Sequence, residues 1–250
     1  MNKSKILFNL IVCALLLECV FSLPPSKLLF QFTLMATTRE SDGSEHDGDV
    51  SNKVDPDELK LLQICCSWSD KISDGVLQYS ISDEVDDDNK QIVRNAIQDW
   101  DLSIDNLTFV DNKDPEKADV KIGFSDSDED ADGEEFHYGE SLAAGLTKLT
   151  LNDKGFIDRV DVVFSGSIFD NKIDESELEQ IVRHEIGHVL GLGHANFDDS
   201  IMFENIDSKT RNISDCEING VIEANHWKLA NSSDENNHGP ERPDMRYIEC

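Results

Sequence analysis

The stretch His184–His194 constrains the fold of this chain more than any other part of its sequence. It reads His-Glu-Ile-Gly-His-Val-Leu-Gly-Leu-Gly-His. Residues four positions apart on an α-helix lie about 40° apart around the axis and about 6 Å apart along it. His184 and His188 therefore project from one face and can bind the same metal ion. The spacing predicts a helix that carries a metal site near its C-terminal end.

Three further residues extend this predicted site. Glu185 directly follows the first histidine, and neighbouring helix positions do not share a face, so its carboxylate can lie beside the ion without binding it. Gly191 can adopt the left-handed conformation that ends a helix, and the turn would return His194 as a third ligand. Three histidines leave one position of a zinc ion open for water or substrate, which is typical of a catalytic site. Incidental histidines on an amphipathic helix are the alternative, and the fixed offsets argue against it.

The motif resembles that of the metzincin metallopeptidases. Met202 follows His194 by eight residues, within the stretch Ser200-Ile-Met-Phe203. This position matches the Met-turn of that clan, in which a methionine lies beneath the three-histidine site. A methionine that only fills the core is the alternative, and the combined motif favours the Met-turn.

Within the metzincins, the chain is most similar to the matrixins. The segments that carry the resemblance outside the motif are Leu77–Ile81, Ala118–Ile122 and Ile213–Val221. The likeness extends from about Trp68 to Trp227 and is strongest from His184 to Val221.

The chain departs from the matrixin pattern at two positions. Ala195 stands where matrixins commonly have a serine after the third histidine. Cys216 replaces the first of the two acidic residues that open their last helix, while Glu217 keeps the second. Glu204 stands where the related astacins have a tyrosine ligand, so no tyrosine switch is expected.

The resemblance implies a metzincin or zincin-like α+β catalytic domain, with a twisted, mostly parallel sheet, an antiparallel edge strand and three helices. It also implies that Glu185 acts as the general base for peptide-bond hydrolysis at a zinc ion and then protonates the leaving amine. Leu142, Ala143, Ala144 and Gly145 take the place of the edge strand, along which an extended polypeptide substrate would pair. An ordinary sheet edge is the alternative there.

Hydrophobic periodicity and capping residues predict the secondary structure independently of the resemblance. Strands are predicted where apolar residues alternate, and helices where they recur at helical spacing after an acidic or serine cap. The predicted strands are Val76–Ile81, Val120–Phe124, Leu142–Leu151 and Val160–Phe164. The predicted helices begin at Asp86–Asp88, near Ser176 (with Glu179 completing a capping box) and at Ser214. Strands and helices without regular alternation indicate an α+β domain.

The N-terminus predicts export. Lys3 and Lys5 precede the apolar run Ile6–Leu17, and a cleavage site is expected ahead of Leu23. The run is shorter than a membrane-spanning helix requires and is interrupted by a polar residue, which favours a cleaved signal. An uncleaved membrane anchor is the alternative. We therefore divide the chain into a signal peptide (1–22), a pro-segment or flexible linker (23–67), the metzincin catalytic domain (68–230) and an irregular C-terminal tail (231–250).

The charge of the chain excludes some partners. The formal net charge is −30, from 52 acidic and 22 basic residues, and this surface repels nucleic acids and anionic lipids. Asp128, Asp130 and Asp132 alternate before Gly133 like the first half of a calcium loop, but the closing glutamate of an EF-hand falls one place late, at Glu140. A looser Ca²⁺ site and a plain acidic loop both remain open.

The mature chain is expected to have four cysteines, Cys65, Cys66, Cys216 and Cys250, which predict two disulfides in an exported protein. A bridge between neighbouring residues strains the peptide between them, so we expect Cys65 and Cys66 each to pair with one of the other two. Either could instead cap the zinc as the cysteine of a matrixin pro-segment does. The surrounding Gln-Ile-Cys-Cys-Ser lacks the Pro-Arg-Cys-Gly pattern of those segments, which favours disulfides.

Two hypotheses about function follow. The first is a secreted, extracellular zinc endopeptidase that acts on polypeptide substrates. This protein is expected to be a monomer that is not inserted in a membrane once the signal is removed. Association with the cell envelope is left open. The second is a non-catalytic secreted module of degenerate peptidase fold that binds metal or calcium. The intact Glu185 favours the first, because a site that only binds a metal does not need that base.

Overall fold

The computed structural model of the protein describes residues 29–36, 59–125, 137–138, 141–165, 174–206, 211–226 and 245–250. The strands are β1 (Leu29–Ala36), β2 (Leu61–Ile64), β3 (Val76–Ile81), β4 (Thr108–Asp111), β5 (Val120–Ser125), β6 (His137–Tyr138), β7 (Ser141–Leu151), β8 (Ile157–Ser165), β9 (Leu192–Ala195), β10 (Asn205–Ile206) and β11 (Arg246–Glu249). The helices are α1 (Asp87–Ser103), α2 (Glu175–Val189) and α3 (Asp215–Ala224).

Among the described residues, eight strands form the main sheet, in the order β10-β1-β7-β8-β5-β3-β4, with β6 paired to β7. The strands β4, β3, β5 and β8 are mutually parallel, whereas β7 is antiparallel to both β8 and β1. The strands predicted from alternation are confirmed within a few residues at their ends. Together with three helices, this sheet confirms the predicted α+β fold.

Helix α1 forms where the sequence predicted it. The carboxylate of Asp86 accepts a hydrogen bond from the backbone N–H of Asn89, and this cap starts the helix. The apolar stripe of α1 faces the core, where Trp100 is fully buried. Its indole Nε1 donates to the Arg183 carbonyl at 2.9 Å, and Arg183 itself pairs with Asp99 of α1 at 2.6 Å. These contacts hold α2 against α1.

Helix α2 begins two residues earlier than predicted. The capping residue is Asp174, which accepts a hydrogen bond from Glu177 N at 2.9 Å, so the capping box expected from Ser176 and Glu179 is wrong. Ser176 instead donates its hydroxyl to Asp174 Oδ1 at 2.6 Å. The carboxylate of Asp174 therefore accepts from both Glu177 N and the Ser176 hydroxyl, and Ser176 lies within the first turn of the helix.

A second, three-stranded sheet has the order β11-β2-β9 and packs against α3. Its strand Leu61–Ile64 falls in the segment expected to be a pro-segment or flexible linker, yet Leu62 and Ile64 are completely buried. Its strand Arg246–Glu249 falls in the tail expected to be irregular. Both strands are four residues long, too short to show a period in the sequence, and only their pairing with each other and with β9 defines them.

The predicted disulfide pairing is wrong. Cys216 pairs with Cys250, and Cys65 pairs with its neighbour Cys66. The pairing of β11 with β2 ends at Cys250 N, which donates to Lys60 O, and this brings Cys250 to a Cα–Cα distance of 5.3 Å from Cys216 in the first turn of α3. Such a separation suits a disulfide. Cys65 and Cys66, both buried after β2, bond each other.

Some predicted features lie outside the described residues. These are the signal peptide, residues 1–22, and the acidic loop with Asp128, Asp130 and Asp132. Among the residues that are described, no helix has the length and apolar character needed to cross a membrane. The domain boundaries, the signal and the calcium site therefore stay predictions.

Candidate active site

The structure brings the three predicted histidines to one point. His184 and His188 project from the last turns of α2, and His194 lies in β9. One ligand atom of each lies within 4.8 Å of the others, and the ring centroids are 4.6, 5.0 and 5.4 Å apart. Within the described part of the chain, no other group of three or more metal-ligating side chains meets in this way.

Gly191 makes the turn between the second and third histidines. Its φ is +98°, a left-handed conformation that favours glycine, and its N–H donates to His188 O at 3.0 Å. A Cβ at this position would also lie 2.4 Å from the carbonyl oxygen of Cys66, which is backbone and cannot give way. Glycine is therefore required at the predicted turn for two reasons, its positive φ and the lack of space for a Cβ.

Two backbone carbonyls orient the imidazoles. The Nδ1 atom of His184 lies 2.7 Å from Ile201 O, and that of His188 lies 2.9 Å from Leu192 O. Because a carbonyl oxygen only accepts, each Nδ1 must carry the proton, and each Nε2 presents a lone pair. These two Nε2 atoms face each other at 2.9 Å. Two acceptor nitrogens at this separation repel unless a cation lies between them.

Burial keeps these imidazoles neutral. It lowers the pKa of His184 to about 3, with a further contribution from His194, and it lowers the pKa of His188 well below its usual value. Neutral imidazole is the form that binds metal ions. The donor set of three such nitrogens fits Zn²⁺, for which Zn–N distances are about 2.0–2.1 Å.

Glu185 lies beside the histidines and is fully buried. Its Oε2 accepts a hydrogen bond from the Thr147 hydroxyl at 2.5 Å, and its Oε1 has no hydrogen-bond partner among the described residues. Burial raises the pKa of Glu185 to about 8, while the Thr147 hydrogen bond opposes that rise. A nearby dication would favour the ionised carboxylate. The site thus holds one carboxylate oxygen fixed and leaves the other available.

Strand β7 shapes the space around this carboxylate. Gly145 and Thr147 are two positions apart on the strand and so face the same side, towards α2. A Cβ at Gly145 would lie 2.6 Å from Glu185 Oε1, so only glycine leaves the carboxylate in place. Sequence reasoning missed the contribution of Thr147. The sequence signal that could have revealed it is a polar residue within a largely apolar predicted strand. In the structure, Thr147 is completely buried.

Met202 lies against the helix that carries the first two histidines. It is fully buried, and a Cβ at Gly187 would lie 2.3 Å from its sulfur. Its carbonyl accepts from Ala195 N at 2.8 Å, next to the third histidine. These contacts place the methionine against α2 and next to the strand that carries the third histidine. The Met-turn role of Met202, beneath the three imidazoles, stays a prediction.

Glu217 fastens this turn to α3, a contribution that the sequence did not reveal. Its fully buried carboxylate accepts from the hydroxyl of Ser200 at 2.5 Å on one oxygen. The other oxygen accepts from the backbone N–H of Ser214 at 2.9 Å and from the Ser214 hydroxyl. Ser200 Oγ in turn accepts from Met202 N at 3.0 Å. One carboxylate therefore closes the capping box of α3 and positions the methionine turn.

The predicted substrate edge is not free. Leu142, Ala143, Ala144 and Gly145 lie in β7 as expected, but the outer side of β7 pairs with β1. Met35 is opposite Ala143, and Leu34 is opposite Gly145. The sequence segment that forms β1 showed no steady period, and only its pairing with a distant strand reveals it.

Comparison with known proteins finds similar sequences and a solved structure. The sequence profile of the matrixin peptidases matches residues 67–224. Metalloendoproteinase 4-MMP of Arabidopsis thaliana is 29% identical over 127 residues, covering 51% of this chain and 36% of that protein. Metalloendoproteinase 1 of Glycine max is 28% identical over 152 residues, covering 58% of this chain and 48% of that protein. The crystal structure of archaemetzincin from Methanopyrus kandleri aligns with a TM-score of 0.39 at 16% identity, covering 62% of this chain and 97% of that one.

The fold and the three-histidine site define a metzincin-type protein. The profile match covers more than half of the chain and includes all of the motif. The chain belongs to the matrixin family, which confirms the resemblance found in the sequence. The matched region spans less than half the length of the two plant relatives.

Proposed function

We propose that the protein is a secreted zinc-dependent endopeptidase that hydrolyses internal peptide bonds of polypeptide substrates. The observation that carries this proposal is the convergence of His184, His188 and His194 within 4.8 Å, with the buried carboxylate of Glu185 beside them. Membership of a peptidase family and the names of the plant relatives support the same reading.

Each residue of the site has a distinct role in this proposal. His184, His188 and His194 hold the zinc ion. When bound, zinc supplies a Lewis acid that activates water and polarises the scissile carbonyl. Glu185 takes a proton from the attacking water while the new C–O bond forms at the carbonyl carbon. It then returns that proton to the amine nitrogen as the C–N bond breaks.

The hydroxyl of Thr147 orients the base. It holds Oε2 of Glu185 at 2.5 Å, so that Oε1 is the atom that accepts the proton. Gly145 leaves room for this oxygen. A carboxylate fixed at one oxygen loses less freedom when the reaction occurs, and a positioned base of this kind contributes about 10²–10⁴ in rate.

Export is supported by the predicted signal peptide and by the disulfide between Cys216 and Cys250, a bond that persists in oxidising compartments. The acidic surface, with a net charge of −30, suits a soluble extracellular protein. Calcium binding at Asp128, Asp130 and Asp132 and the monomeric state are further parts of this proposal.

The test combines metal analysis with an activity assay. The purified chain is expected to hold about one zinc ion and to cleave an unfolded polypeptide in a manner that a chelator abolishes. Glu185→Gln should keep the zinc and lower the rate by about 10²–10⁴-fold. The matched control is Glu175→Gln, an exposed carboxylate in the first turn of the same helix, which should leave the rate unchanged. A Glu185→Gln protein that cleaves as fast as its parent would overturn the mechanism.

A further inference from the structure

The bonded pair Cys65 and Cys66 lies directly against the turn that joins the second and third histidines. The N–H groups of both cysteines donate to the same acceptor, Gly191 O, at 3.0 and 3.3 Å. The carbonyl oxygen of Cys66 occupies the space that a Cβ of Gly191 would need. Both cysteines are buried in the core. The two bonded residues therefore contact the turn with three backbone groups.

The positions of two of the three histidines depend on this turn. The N–H of Gly191 donates to His188 O at 3.0 Å, at the end of α2. The next residue, Leu192, supplies the carbonyl that orients the His188 ring, at 2.9 Å from its Nδ1. His194 follows two positions later in the same strand, β9. A change in the backbone at Gly191 therefore moves an orienting carbonyl and the third histidine together.

The contact with Gly191 O requires a backbone that is not extended. Ile64, the last residue of β2, pairs with Leu192, and successive N–H groups of a strand point to opposite edges. The N–H groups of Cys65 and Cys66 instead point to one oxygen. A disulfide between neighbouring residues closes a small ring that contains their peptide bond, and the ring restrains this conformation. Without the ring, an extended chain would present only one of the two N–H groups to Gly191.

The same bond contributes little to the stability of the whole fold. Stabilisation by a disulfide grows with the length of the loop that it closes, and Cys65 and Cys66 are adjacent. The chain on either side is held by contacts of its own. Ile64 is fixed by strand pairing, and the indole N–H of Trp68 donates to Val189 O at 2.8 Å. The protein is therefore expected to stay folded when this bond is opened.

We propose that the Cys65–Cys66 disulfide is a redox site that fixes the Gly191 turn, and that its reduction loosens the turn and weakens zinc binding. The inference rests on the zinc site of the function proposed above. The reductant is a dithiol, whose two sulfurs form a new S–S bond while the Cys65–Cys66 bond breaks. Two electrons and two protons pass to the cysteines, which become thiols.

The ease of reduction and the size of the effect follow from general chemistry. Strained disulfides are the ones that thiols open most readily, and a bridge between neighbouring residues is strained by the peptide bond within its ring. Loss of the groups that orient metal ligands lowers metal affinity by about 10- to 100-fold. We expect a loss of this size when the Cys65–Cys66 bond is reduced.

The matched variant is C65S/C66S, which removes the ring and leaves no thiol at these two positions. It keeps the bond between Cys216 and Cys250, so an effect of reductant on that bond is common to the variant and the parent. Both proteins are compared before and after treatment with dithiothreitol and desalting without oxygen. Alkylation and mass spectrometry identify the reduced cysteines. A Cys65–Cys66 bond that dithiothreitol leaves intact would overturn the inference.

The first measurement uses zinc-free protein. Hydrogen exchange of the amides of residues 191–195 should become faster when the parent is reduced, and C65S/C66S should show the faster rate with or without reductant. The amide of Ile97 in α1 should exchange at the same rate in every sample. An unchanged rate at residues 191–195 would contradict the inference. Faster exchange of Ile97 as well would show that the bond supports the whole fold, and would contradict it too.

The second measurement separates this inference from the proposed function. The Kd for zinc, measured by competition with a chromogenic chelator, should rise by about 10- to 100-fold when the parent is reduced, and C65S/C66S should match the reduced parent. Equal or tighter binding after reduction means that the inference fails. If the turn responds to reduction but the oxidised parent binds no zinc, the redox control of the turn holds and the zinc peptidase proposal fails.

Discussion

A Cβ atom at Gly145 would lie 2.6 Å from Oε1 of Glu185, closer than a carbon and a carboxylate oxygen can approach. The nearest atoms are the end of a side chain that can swing away, so Gly145→Ala should fold and keep its zinc. The displaced carboxylate no longer reaches the attacking water, and we expect kcat to fall about 10- to 100-fold, because small misplacements of a reacting group have costs of this size.

The control for that variant is Gly123→Ala in β5. A Cβ there meets no atom within 4 Å, so the substitution should leave activity and melting temperature unchanged. Steady-state kinetics with parallel zinc analysis distinguish the two variants. Equal activity of Gly145→Ala and the parent would mean that Glu185 does not need the position described here.

Thr147→Val removes the hydroxyl that holds Glu185 Oε2 while keeping the shape of the side chain. The buried carboxylate then loses a donor, an effect of about 1–3 kcal/mol for a charged acceptor, and the base is free to rotate. We predict a fall in kcat of roughly 10-fold or more with zinc content unchanged. Thr147→Ser, which restores the hydroxyl, should recover most of the rate. A serine variant as slow as the valine variant would instead indicate a packing role.

Glu217→Ala should destabilise the fold. It leaves the buried Ser200 hydroxyl without its acceptor, which costs about 1–3 kcal/mol, and it removes the capping box at the exposed Ser214. We expect the free energy of unfolding to fall by about 3 kcal/mol in denaturant titrations.

The comparison variant for this prediction is Glu223→Ala on the same helix. Glu223 forms an ion pair with Arg246, but its side chain is 57% exposed, and such surface pairs contribute about 0–1 kcal/mol. If the two variants lose the same stability, the buried carboxylate is not the anchor of the methionine turn.

The disulfide assignment can be checked by mass spectrometry of a non-reducing digest. We expect a cross-link between the peptides that contain Cys216 and Cys250, and none from either of these to Cys65 or Cys66. A link from Cys65 or Cys66 to one of the distant cysteines would restore the pairing predicted from the sequence and contradict the structure.

The same bond should contribute to stability. Cys216 and Cys250 are separated by 34 positions, and closing a loop of this length stabilises a fold by about 3–4 kcal/mol in the chain-entropy account. The double variant Cys216→Ser, Cys250→Ser should therefore unfold at markedly lower denaturant concentration. A midpoint equal to that of the parent would show that the bond does not constrain the unfolded chain.

The local parts of the site followed from the sequence because they depend on helix geometry alone. Histidines four positions apart share a face of any α-helix, and Gly191 could be predicted to turn the chain because few other residues adopt a positive φ. The caps of α1 and α3 at Asp86 and Ser214 were predicted because an acidic or hydroxyl side chain ahead of an apolar helical stripe accepts N–H groups of the first turn. The cap of α2 was misplaced because two acceptors, Asp174 and Ser176, stand close together and only the folded backbone selects between them.

Short-range sequence patterns were thus sufficient to predict the histidine motif, the helices, the longer strands and the family. The pairing of β1 with β7, the contact of Gly145 and Thr147 with Glu185, the anchor at Glu217 and the partner of Cys250 were decided only by the tertiary structure. Each joins residues far apart in the chain through backbone hydrogen bonds or a single side chain. Such contacts leave no periodic signal, since any extended segment can pair with any free strand edge until the whole sheet fixes which one does.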